Sequence, residues 1–309
     1  MTASELPTPP AAGEPLSNLA LKRSGLADAE IASLAAVARR AASSGAEQLM
    51  KHYGRLSQIR QKSRAGDLVT EADLAAEAAV LAVLERETAG VGVLAEESGR
   101  RLGNGQLEWC VDPLDGTTNY AHNYPFFACS VGLTWDGLPL LGAVAVPALA
   151  ELFWAAPGLG AWCNDKPLQV SPCTSLEQAL LVTGFAYDRR ERLDNNYAEF
   201  AWFTHRSQGV RRGGAAAVDL AFVAAGRLDG YWERGLSPWD LAAGVVLVEQ
   251  AGGVVSSYEG AALQISGGKL IACTPGVHGA LVEGLGRCQP LAGSVYGAAE
   301  LDRPDPVTP

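Results

Sequence analysis

Basic residues are scarce in this chain of 309 residues, which has 24 Lys and Arg against 34 Asp and Glu and a net charge of −10. Binding to a nucleic-acid backbone requires a basic surface, so we expect no nucleic-acid partner. The acidic balance does not exclude an anionic substrate, because a bound metal ion can invert the local sign of the charge. With 48% hydrophobic residues, the chain can bury a large core, which excludes a disordered protein.

Long apolar runs are also missing. The longest, residues 138–150, is interrupted by Pro139 and Pro147 and is too short to span a bilayer. Residues 1–15 have no basic segment followed by an apolar one, so no secretory signal is expected. The six cysteines form no CxxC pair, which favours reduced thiols. We therefore expect a cytoplasmic protein that does not contact a membrane.

Sequence signatures of several enzyme classes are absent as well. The chain has no HExxH zinc motif and no GxSxG nucleophile motif, and neither GxGxxG nor GxxxxGK[ST] occurs. Zinc proteases, serine hydrolases of the α/β type, nucleotide-dependent dehydrogenases and P-loop kinases are therefore not supported.

The chain is organised as one compact unit between two tails. Residues 1–17 and 289–309 are rich in proline and small residues and are predicted to be tails, leaving residues 18–288 as the folded domain. Hydrophobic spacing and capping signals predict helices at residues 28–53, 70–87, 194–204, 215–225, 237–250 and 277–285. Strands are predicted at residues 91–94, 108–111, 127–135, 140–146, 151–154, 229–233, 254–256 and 270–273. This alternation indicates a layered α+β fold.

The segment Asp112-Pro-Leu-Asp115-Gly116-Thr117-Thr-Asn119-Tyr120 is the richest in chemistry. It follows an apolar strand, and strand ends are where layered folds present catalytic groups. Its two carboxylates are hard oxygen ligands, and the amides of Gly116 and Thr117 could bind phosphate. This pairing suits Mg²⁺-assisted phosphate chemistry, although a surface turn also explains the pattern.

Other acids have both a structural and a functional interpretation. Glu96-Glu97 follows a strand. The pair is typical of a solvated loop, but one of the two acids could also bind a metal ion while its neighbour supports it. Asp67 precedes a helix cap and is either a turn residue or a carboxylate that orients a catalytic hydroxyl or water. Asp240 completes a capping box with Ser237, a geometry that also leaves metal ligation open.

Three more residues in the second half of the chain are considered. Glu233, at a strand end, is a surface acid or an acceptor for substrate hydroxyls. Asp219 and Arg227 are expected to form a structural ion pair or a cap.

Four ordered motifs resemble the inositol monophosphatase family of Mg²⁺-dependent phosphatases. The motifs are Gly66-Asp67-Leu-Val-Thr70-Glu-Ala-Asp73, Glu96-Glu97-Ser-Gly99, Asp112 to Tyr120, and Trp239-Asp240-Leu-Ala-Ala-Gly244. The resemblance covers roughly residues 28–285. It implies an αβαβα sandwich, assembled as a homodimer, that hydrolyses small phosphate monoesters and is sensitive to lithium.

The resemblance also implies residue roles. Glu96, Asp112 and the Leu114 carbonyl would hold one Mg²⁺, with Glu97 in support, and Asp112, Asp115 and Asp240 would hold a second. A third, weaker ion would lie near Glu96. The catalytic residues would be Asp67, Glu96 and Thr117, with Asp67 and Thr117 positioning the attacking water. The substrate would be held by Asp115, Gly116, Thr117, Ala216 and Glu233.

Inositol 1-phosphate is the expected substrate. The alternatives are a sugar bisphosphate, histidinol phosphate and a 3′-phosphonucleotide, and a further alternative is a non-catalytic regulator that binds RNA or a polymerase. One departure from the family pattern, Ala215 in place of a common Ser or Thr, leaves the fine substrate preference open.

Overall fold

The computed structural model describes residues 14–57, 59–62 and 68–290. Within these ranges the α-helices are α1 (Leu16–Ser24), α2 (Asp28–His52), α3 (Glu71–Glu87), α4 (Thr117–Ala121), α5 (Tyr197–Arg206), α6 (Ala216–Ala224), α7 (Pro238–Gln250) and α8 (Pro275–Arg287). None of these helices combines the length and the apolar character needed to cross a bilayer.

The strands of the described residues form two large sheets and a short hairpin. The strands are β1 (Ile59–Gln61), β2 (Leu68–Thr70), β3 (Gly92–Ala95), β4 (Gly99–Arg101), β5 (Leu107–Asp115), β6 (Ala128–Trp135), β7 (Leu138–Val146), β8 (Glu151–Ala156), β9 (Gly160–Cys163), β10 (Lys166–Pro167), β11 (Leu180–Thr183), β12 (Gly209–Arg211), β13 (Gly230–Arg234), β14 (Val254–Ser256) and β15 (Lys269–Cys273). The first sheet has the order β10-β9-β8-β7-β6-β5-β3-β4, and the second has the order β12-β11-β13-β15-β14.

Helices and sheets alternate in five layers. Helices α2 and α3 cover one face of the first sheet, and α6 and α7 lie between its other face and the second sheet. Helices α5 and α8 cover the outer face of the second sheet. One buried apolar cluster lies between the first sheet and α2 and α3, one surrounds α6 and α7 between the two sheets, and one lies between the second sheet and α5 and α8. The predicted layered α+β fold is thus confirmed.

Local sequence explains where the helices next to the site begin. Helix α3 has a capping box in which the Asp73 carboxylate accepts the N–H of Thr70 at 2.8 Å. Helix α7 follows the same rule, with Ser237 as its N-cap and Pro238 at its first position. Both helices were predicted, and their starts are placed within one residue.

Two glycines let α7 lie close against the first sheet. A Cβ built on Gly132 would lie 2.6 Å from the Cβ of Ala242, and one built on Gly142 would lie 2.5 Å from the Cα of Ala243. Such separations are far below van der Waals contact, so side chains at these positions would push the helix away. The first turn of α7 carries Asp240. Its position therefore depends on having glycine, without a side chain, at residue 132 of β6 and at residue 142 of β7.

The N-terminal boundary differs from the prediction. Leu16 and Ser17 were assigned to the tail, but they begin helix α1. The buried Glu249 carboxylate accepts hydrogen bonds from the Leu16 N–H at 2.7 Å and the Ser17 hydroxyl at 2.6 Å. A residue more than 230 positions away thus satisfies the free donors at the helix start, which no local pattern reveals.

Two other boundaries differ from the prediction. Strand β5 continues to Asp115 rather than ending at Val111, because a bulge between Asp112 and Asp115 absorbs Pro113 and the strand still pairs with β6. Helix α5 begins at Tyr197 rather than at residue 194, because Asn196 adopts a left-handed conformation with φ of 71°. All six cysteines lie within the described residues and are free thiols, as predicted.

Candidate functional site

A cavity of about 350 Å³ lies where strand ends of both sheets meet the first turns of several helices. Acidic side chains predicted from separate motifs line it together: Glu96, Asp112, Asp115, Glu233 and Asp240. The other predicted site residues in its wall are Leu114, Gly116, Thr117 and Ala216. The structure therefore brings together in space motifs that are far apart in sequence.

Strand pairing places Glu96 beside Asp112. Strands β3 and β5 run parallel, with Ala95 opposite Val111, so both chains leave the sheet at the same edge. The N–H of Glu96 donates to the Val111 carbonyl at 3.0 Å, which extends the pairing by one residue. The Asp112 carboxylate accepts the N–H of Leu114 at 3.0 Å, within the bulge.

The Asp115 carboxylate joins this edge of the first sheet to helix α6. It accepts the N–H groups of Ala216 at 3.0 Å and Ala217 at 2.8 Å. These amides are among the unpaired donors of the first turn of α6, and the positive end of the helix dipole favours a carboxylate there. Asp115 is thereby fixed in the cavity wall.

Asp240 lies in the first turn of helix α7 and lines the same cavity. One of its oxygens accepts the N–H of Ser237 at 2.6 Å, which completes the cap. A carboxylate has two oxygens, so the capping interaction leaves the other available to a ligand. The structural and the functional interpretations of this residue are compatible.

Burial and mutual repulsion raise the pKa values of Asp112, Asp115 and Asp240. Burial, followed by the charges of Glu96, Asp115 and Asp240, holds the pKa of Asp112 well above its usual range. Burial raises the pKa of Asp115 to about 7, although hydrogen bonds from the α6 backbone act in the opposite direction. Burial also raises the pKa of Asp240, with Glu96, Asp115 and Glu233 adding repulsion. The cavity has an excess of negative charge that a divalent cation would offset.

Lys62 is the cation closest to this acidic group in the described structure. Its ammonium lies 2.8 Å from Glu96 and 2.5 Å from Glu97. Burial alone would lower the pKa of Lys62, but the two carboxylates raise it above its usual value. Burial raises the pKa of Glu97 to about 7. Glu97 also donates its N–H to the buried Glu77 carboxylate at 3.1 Å.

The acids line the cavity without forming a finished metal cage. Over the ranges that the structure describes, no group of three His, Cys, Asp or Glu side chains is close enough to hold an ion. The donor set still fits a hard divalent cation, since it consists of carboxylates and a backbone carbonyl, all of them oxygen donors. To complete a cage, these side chains must move closer together, and Glu96, which pairs with Lys62 through Oε1, can use Oε2 for a cation.

Thr117 lies at the start of α4, beside a glycine in the left-handed conformation. Gly116 has φ of 88°, and a Cβ there would also lie 3.0 Å from the Phe126 carbonyl oxygen. The Thr117 hydroxyl lies 3.0 Å from the Leu114 carbonyl oxygen and 3.3 Å from the Asp73 carboxylate. Burial raises the pKa of Asp73 to about 6. Asp67, predicted to act beside Thr117, lies outside the described residues.

The structure adds residues that sequence reasoning did not select. Asp73 was named only as the last residue of the first motif, with no role of its own, and Lys62 was not a candidate. Asp219 and Arg227 were expected to form a structural ion pair or a cap, and this is wrong for Asp219, which forms neither in the described structure. Arg227 pairs with Glu151 at 2.5 Å. The Asp219 carboxylate is buried with no hydrogen-bond partner in the described structure, and burial raises its pKa.

Comparisons with known proteins show which family this chain is similar to. The model of the inositol monophosphatase family matches residues 30–289. The chain is 50% identical over 253 residues to an inositol-1-monophosphatase of Synechocystis sp., covering 81% of this chain and 87% of that protein. It is 41% identical to the Nus factor SuhB of Pseudomonas aeruginosa, covering 76% and 89%. The solved structure of an inositol monophosphatase from Anabaena superimposes with a TM-score of 0.78 at 47% identity, covering 85% and 98%.

Proposed function

This chain belongs to the inositol monophosphatase family and is a phosphoric monoester hydrolase, and on that premise we propose that it splits inositol 1-phosphate into inositol and phosphate with Mg²⁺ as cofactor. The observation that carries this proposal is the shared cavity lined by Glu96, Asp112, Asp115 and Asp240, and burial and repulsion raise the pKa values of the last three. No structural role requires so many acids in one buried wall, and their repulsion is costly unless cations offset it.

Two Mg²⁺ ions would share these ligands. Glu96, Asp112 and the Leu114 carbonyl would hold one, with Glu97 in support, and Asp112, Asp115 and Asp240 would hold the other. A third, weaker ion would lie near Glu96. When bound, Mg²⁺ lowers the pKa of water and stabilises charge on the attacking and leaving oxygens. The ammonium of Lys62 pairs with Oε1 of Glu96, which leaves Oε2 for the ion, although the positive charge of Lys62 weakens cation binding.

The protein groups around the ligands position the reactants. Thr117 and Asp67 would hold the attacking water, and Asp73 orients the Thr117 hydroxyl through their hydrogen bond. The amides of Gly116 and Thr117 would bind the phosphate oxygens. Asp115, Ala216 and Glu233 would contact the inositol hydroxyls. This arrangement presents the phosphorus to the water and leaves the inositol on the Glu233 side.

A substrate panel tests the proposal. Purified protein is assayed for phosphate release from inositol 1-phosphate, fructose 1,6-bisphosphate, histidinol phosphate and adenosine 3′,5′-bisphosphate, each with and without Mg²⁺. We expect inositol 1-phosphate to be the fastest and all release to require Mg²⁺. If inositol 1-phosphate is among the slowest, the substrate assignment is wrong and one of the alternatives replaces it.

A binding role on the same scaffold is the second candidate. The observation in its favour is the similarity to a relative named Nus factor SuhB. The net charge of −10 and the full acidic set oppose it. Electrophoretic mobility shifts with structured RNA decide between the two, because a regulator binds RNA with or without turnover. We expect no shift at micromolar protein.

We also propose a cytoplasmic homodimer that lithium inhibits. Analytical ultracentrifugation tests the oligomeric state, and a single species with twice the chain mass is expected. Titration of LiCl against the Mg²⁺-dependent activity tests inhibition, with NaCl at the same ionic strength as the control.

A further inference from the structure

The Glu233 carboxylate is held from several sides. Residues 231 and 233 of β13 face the same side of the sheet, because side chains alternate along a strand. Tyr231 lies in the apolar cluster between the two sheets, whereas Trp232 lies in the cluster on the outer face. Tyr231 and Glu233 therefore both face the layer that contains the cavity.

Tyr231 supports the carboxylate from one side. Its hydroxyl donates to Oε2 of Glu233 at 2.6 Å, and its ring is fully buried. A buried ring cannot follow a moving partner, so the hydrogen bond fixes where this oxygen lies. The second oxygen, Oε1, is free to accept a hydrogen bond from a ligand in the cavity.

Gly184 supports the carboxylate from another side. Strands β11 and β13 run parallel, with Thr183 opposite Trp232, so Gly184 comes next to Glu233. A Cβ built on Gly184 would lie 2.0 Å from Oε2 and 2.2 Å from Oε1 of Glu233. The carboxylate thus packs directly against the backbone of residue 184, and any side chain there would displace it.

The segment around Gly184 is itself anchored. The buried Asn196 donates to the Thr183 hydroxyl oxygen and to the Gly184 carbonyl, both at 2.7 Å. Its own carbonyl accepts the indole N–H of Trp232 at 2.7 Å. Asn196 therefore ties the end of β11 to Trp232, the residue that precedes Glu233.

We propose that Tyr231 and Gly184 are positioning residues that hold Glu233 in one orientation, as a fixed acceptor for a hydroxyl of the leaving group. This inference rests on the proposed function and refines its substrate class. The protein would select phosphate monoesters of polyols that carry a free hydroxyl near the ester oxygen. A monoester without hydroxyl groups would gain nothing from this wall. A preformed acceptor favours binding because little ordering is needed when the ligand arrives.

The charges around Glu233 support this role. Burial raises the pKa of Glu233 to about 7, while the hydrogen bond from Tyr231 and the charge of Arg212 act in the opposite direction. Near neutral pH the group is therefore about half ionised, and the ionised form accepts hydrogen bonds at both oxygens. Without Tyr231 its orientation would no longer be defined.

The test compares two substrates in two variants. Tyr231→Phe removes one hydroxyl and keeps the ring, and Gly184→Ala pushes against the carboxylate from the other side. We expect each to lower kcat/KM for inositol 1-phosphate about tenfold, mainly through KM, since a hydrogen bond to a charged group is affected. The kcat/KM for 4-nitrophenyl phosphate, which has no hydroxyl group, should change less than twofold.

Tyr53→Phe is the matched control. It also removes one tyrosine hydroxyl, which donates a hydrogen bond to the Asn123 carbonyl outside the cavity. It should leave the ratio of the two kcat/KM values unchanged. Thermal unfolding shows whether each variant is folded. If Gly184→Ala does not fold, the result for Tyr231→Phe decides on its own.

Each outcome separates the two hypotheses. An equal loss on both substrates in Tyr231→Phe, or no loss on either, overturns the positioning role while the proposed function stands. If the wild type prefers another polyol phosphate, the inositol assignment fails and the same comparison is made with that polyol. If the wild type hydrolyses 4-nitrophenyl phosphate and no polyol phosphate, both hypotheses are wrong.

Discussion

The hydroxyl of Thr117 lies 3.3 Å from the carboxylate of Asp73, although 44 residues separate them in sequence. The same hydroxyl lies 3.0 Å from the Leu114 carbonyl oxygen. The contact links the cap of α3 to the loop after β5, and so joins the first motif of the chain to the third. Asp73 therefore completes the capping box of α3 and also contacts Thr117 in the cavity wall.

Two substitutions of Thr117 distinguish the contribution of its hydroxyl group from that of its side-chain volume. Thr117→Val keeps the shape and removes the hydroxyl, so the attacking water loses a positioning group. We expect kcat to fall by roughly 100-fold, in the range of other lost proton-handling groups, with little change in stability. Steady-state kinetics on inositol 1-phosphate measure it. Thr117→Ser retains the hydroxyl and should recover most of the activity, and a serine variant as slow as the valine one would contradict this role.

Gly142→Ala tests the close contact between β7 and α7. The added Cβ would lie 2.5 Å from the Cα of Ala243, so the helix must move and carry Asp240 with it. We expect a loss of about 1–3 kcal/mol in the free energy of unfolding, typical of overpacking, together with weaker Mg²⁺ activation. Urea denaturation and Mg²⁺ titration of the activity measure the two effects.

Gly105→Ala is the control for this substitution, because a Cβ at residue 105 meets no atom within 4 Å. It should change neither quantity. Normal stability and normal Mg²⁺ activation in Gly142→Ala would show that α7 has room to adjust.

The pKa of Glu233 predicts a pH dependence of stability without divalent cations. Its pKa rises from 4.5 to about 7 on folding because the side chain is buried. A raised carboxyl pKa stabilises the fold below pH 4.5 relative to higher pH, and this contribution is lost as the pH rises to about 7. Glu233→Gln should therefore be more stable than the wild type at pH 8 by roughly 3 kcal/mol, and nearly equal to it at pH 4. Urea unfolding at the two pH values measures this, and an equal difference at both would contradict the shift.

Local signals predicted the elements that carry the site. The Thr70 and Ser237 capping boxes placed the starts of α3 and α7, because the caps satisfy free N–H groups within a few residues. The apolar runs placed β6 and β7 for a similar local reason. The gathering of Glu96, Asp112 and Asp240 followed from the family resemblance rather than from these local rules.

Long-range contacts explain what the sequence did not reveal. Helix α1 depends on Glu249, and the register of β5 depends on its pairing with β6 through a bulge. The contact of Gly184 with Glu233 requires two strands to pair across 49 residues. Asp73 had a complete local explanation as a cap, so nothing in its spacing indicated that it also reaches Thr117.

Asp112→Asn on the purified protein is the most direct test of the metal site, because it removes one charge and keeps the volume of a side chain buried among Glu96, Asp115 and Asp240. Asp136→Asn is the control: this residue lies at a turn with φ of 49°, a conformation that asparagine also adopts. Isothermal titration with MgCl₂ and phosphate release from inositol 1-phosphate are measured on both. We predict that Asp112→Asn folds normally and loses high-affinity Mg²⁺ binding. Its turnover should fall by at least about 100-fold, which lies within the several kcal/mol that metal ions contribute to catalysis. Asp136→Asn should match the wild type in both measurements. A folded Asp112→Asn protein that binds Mg²⁺ and turns over like the wild type would contradict the assignment of this cavity as a metal-dependent phosphatase site.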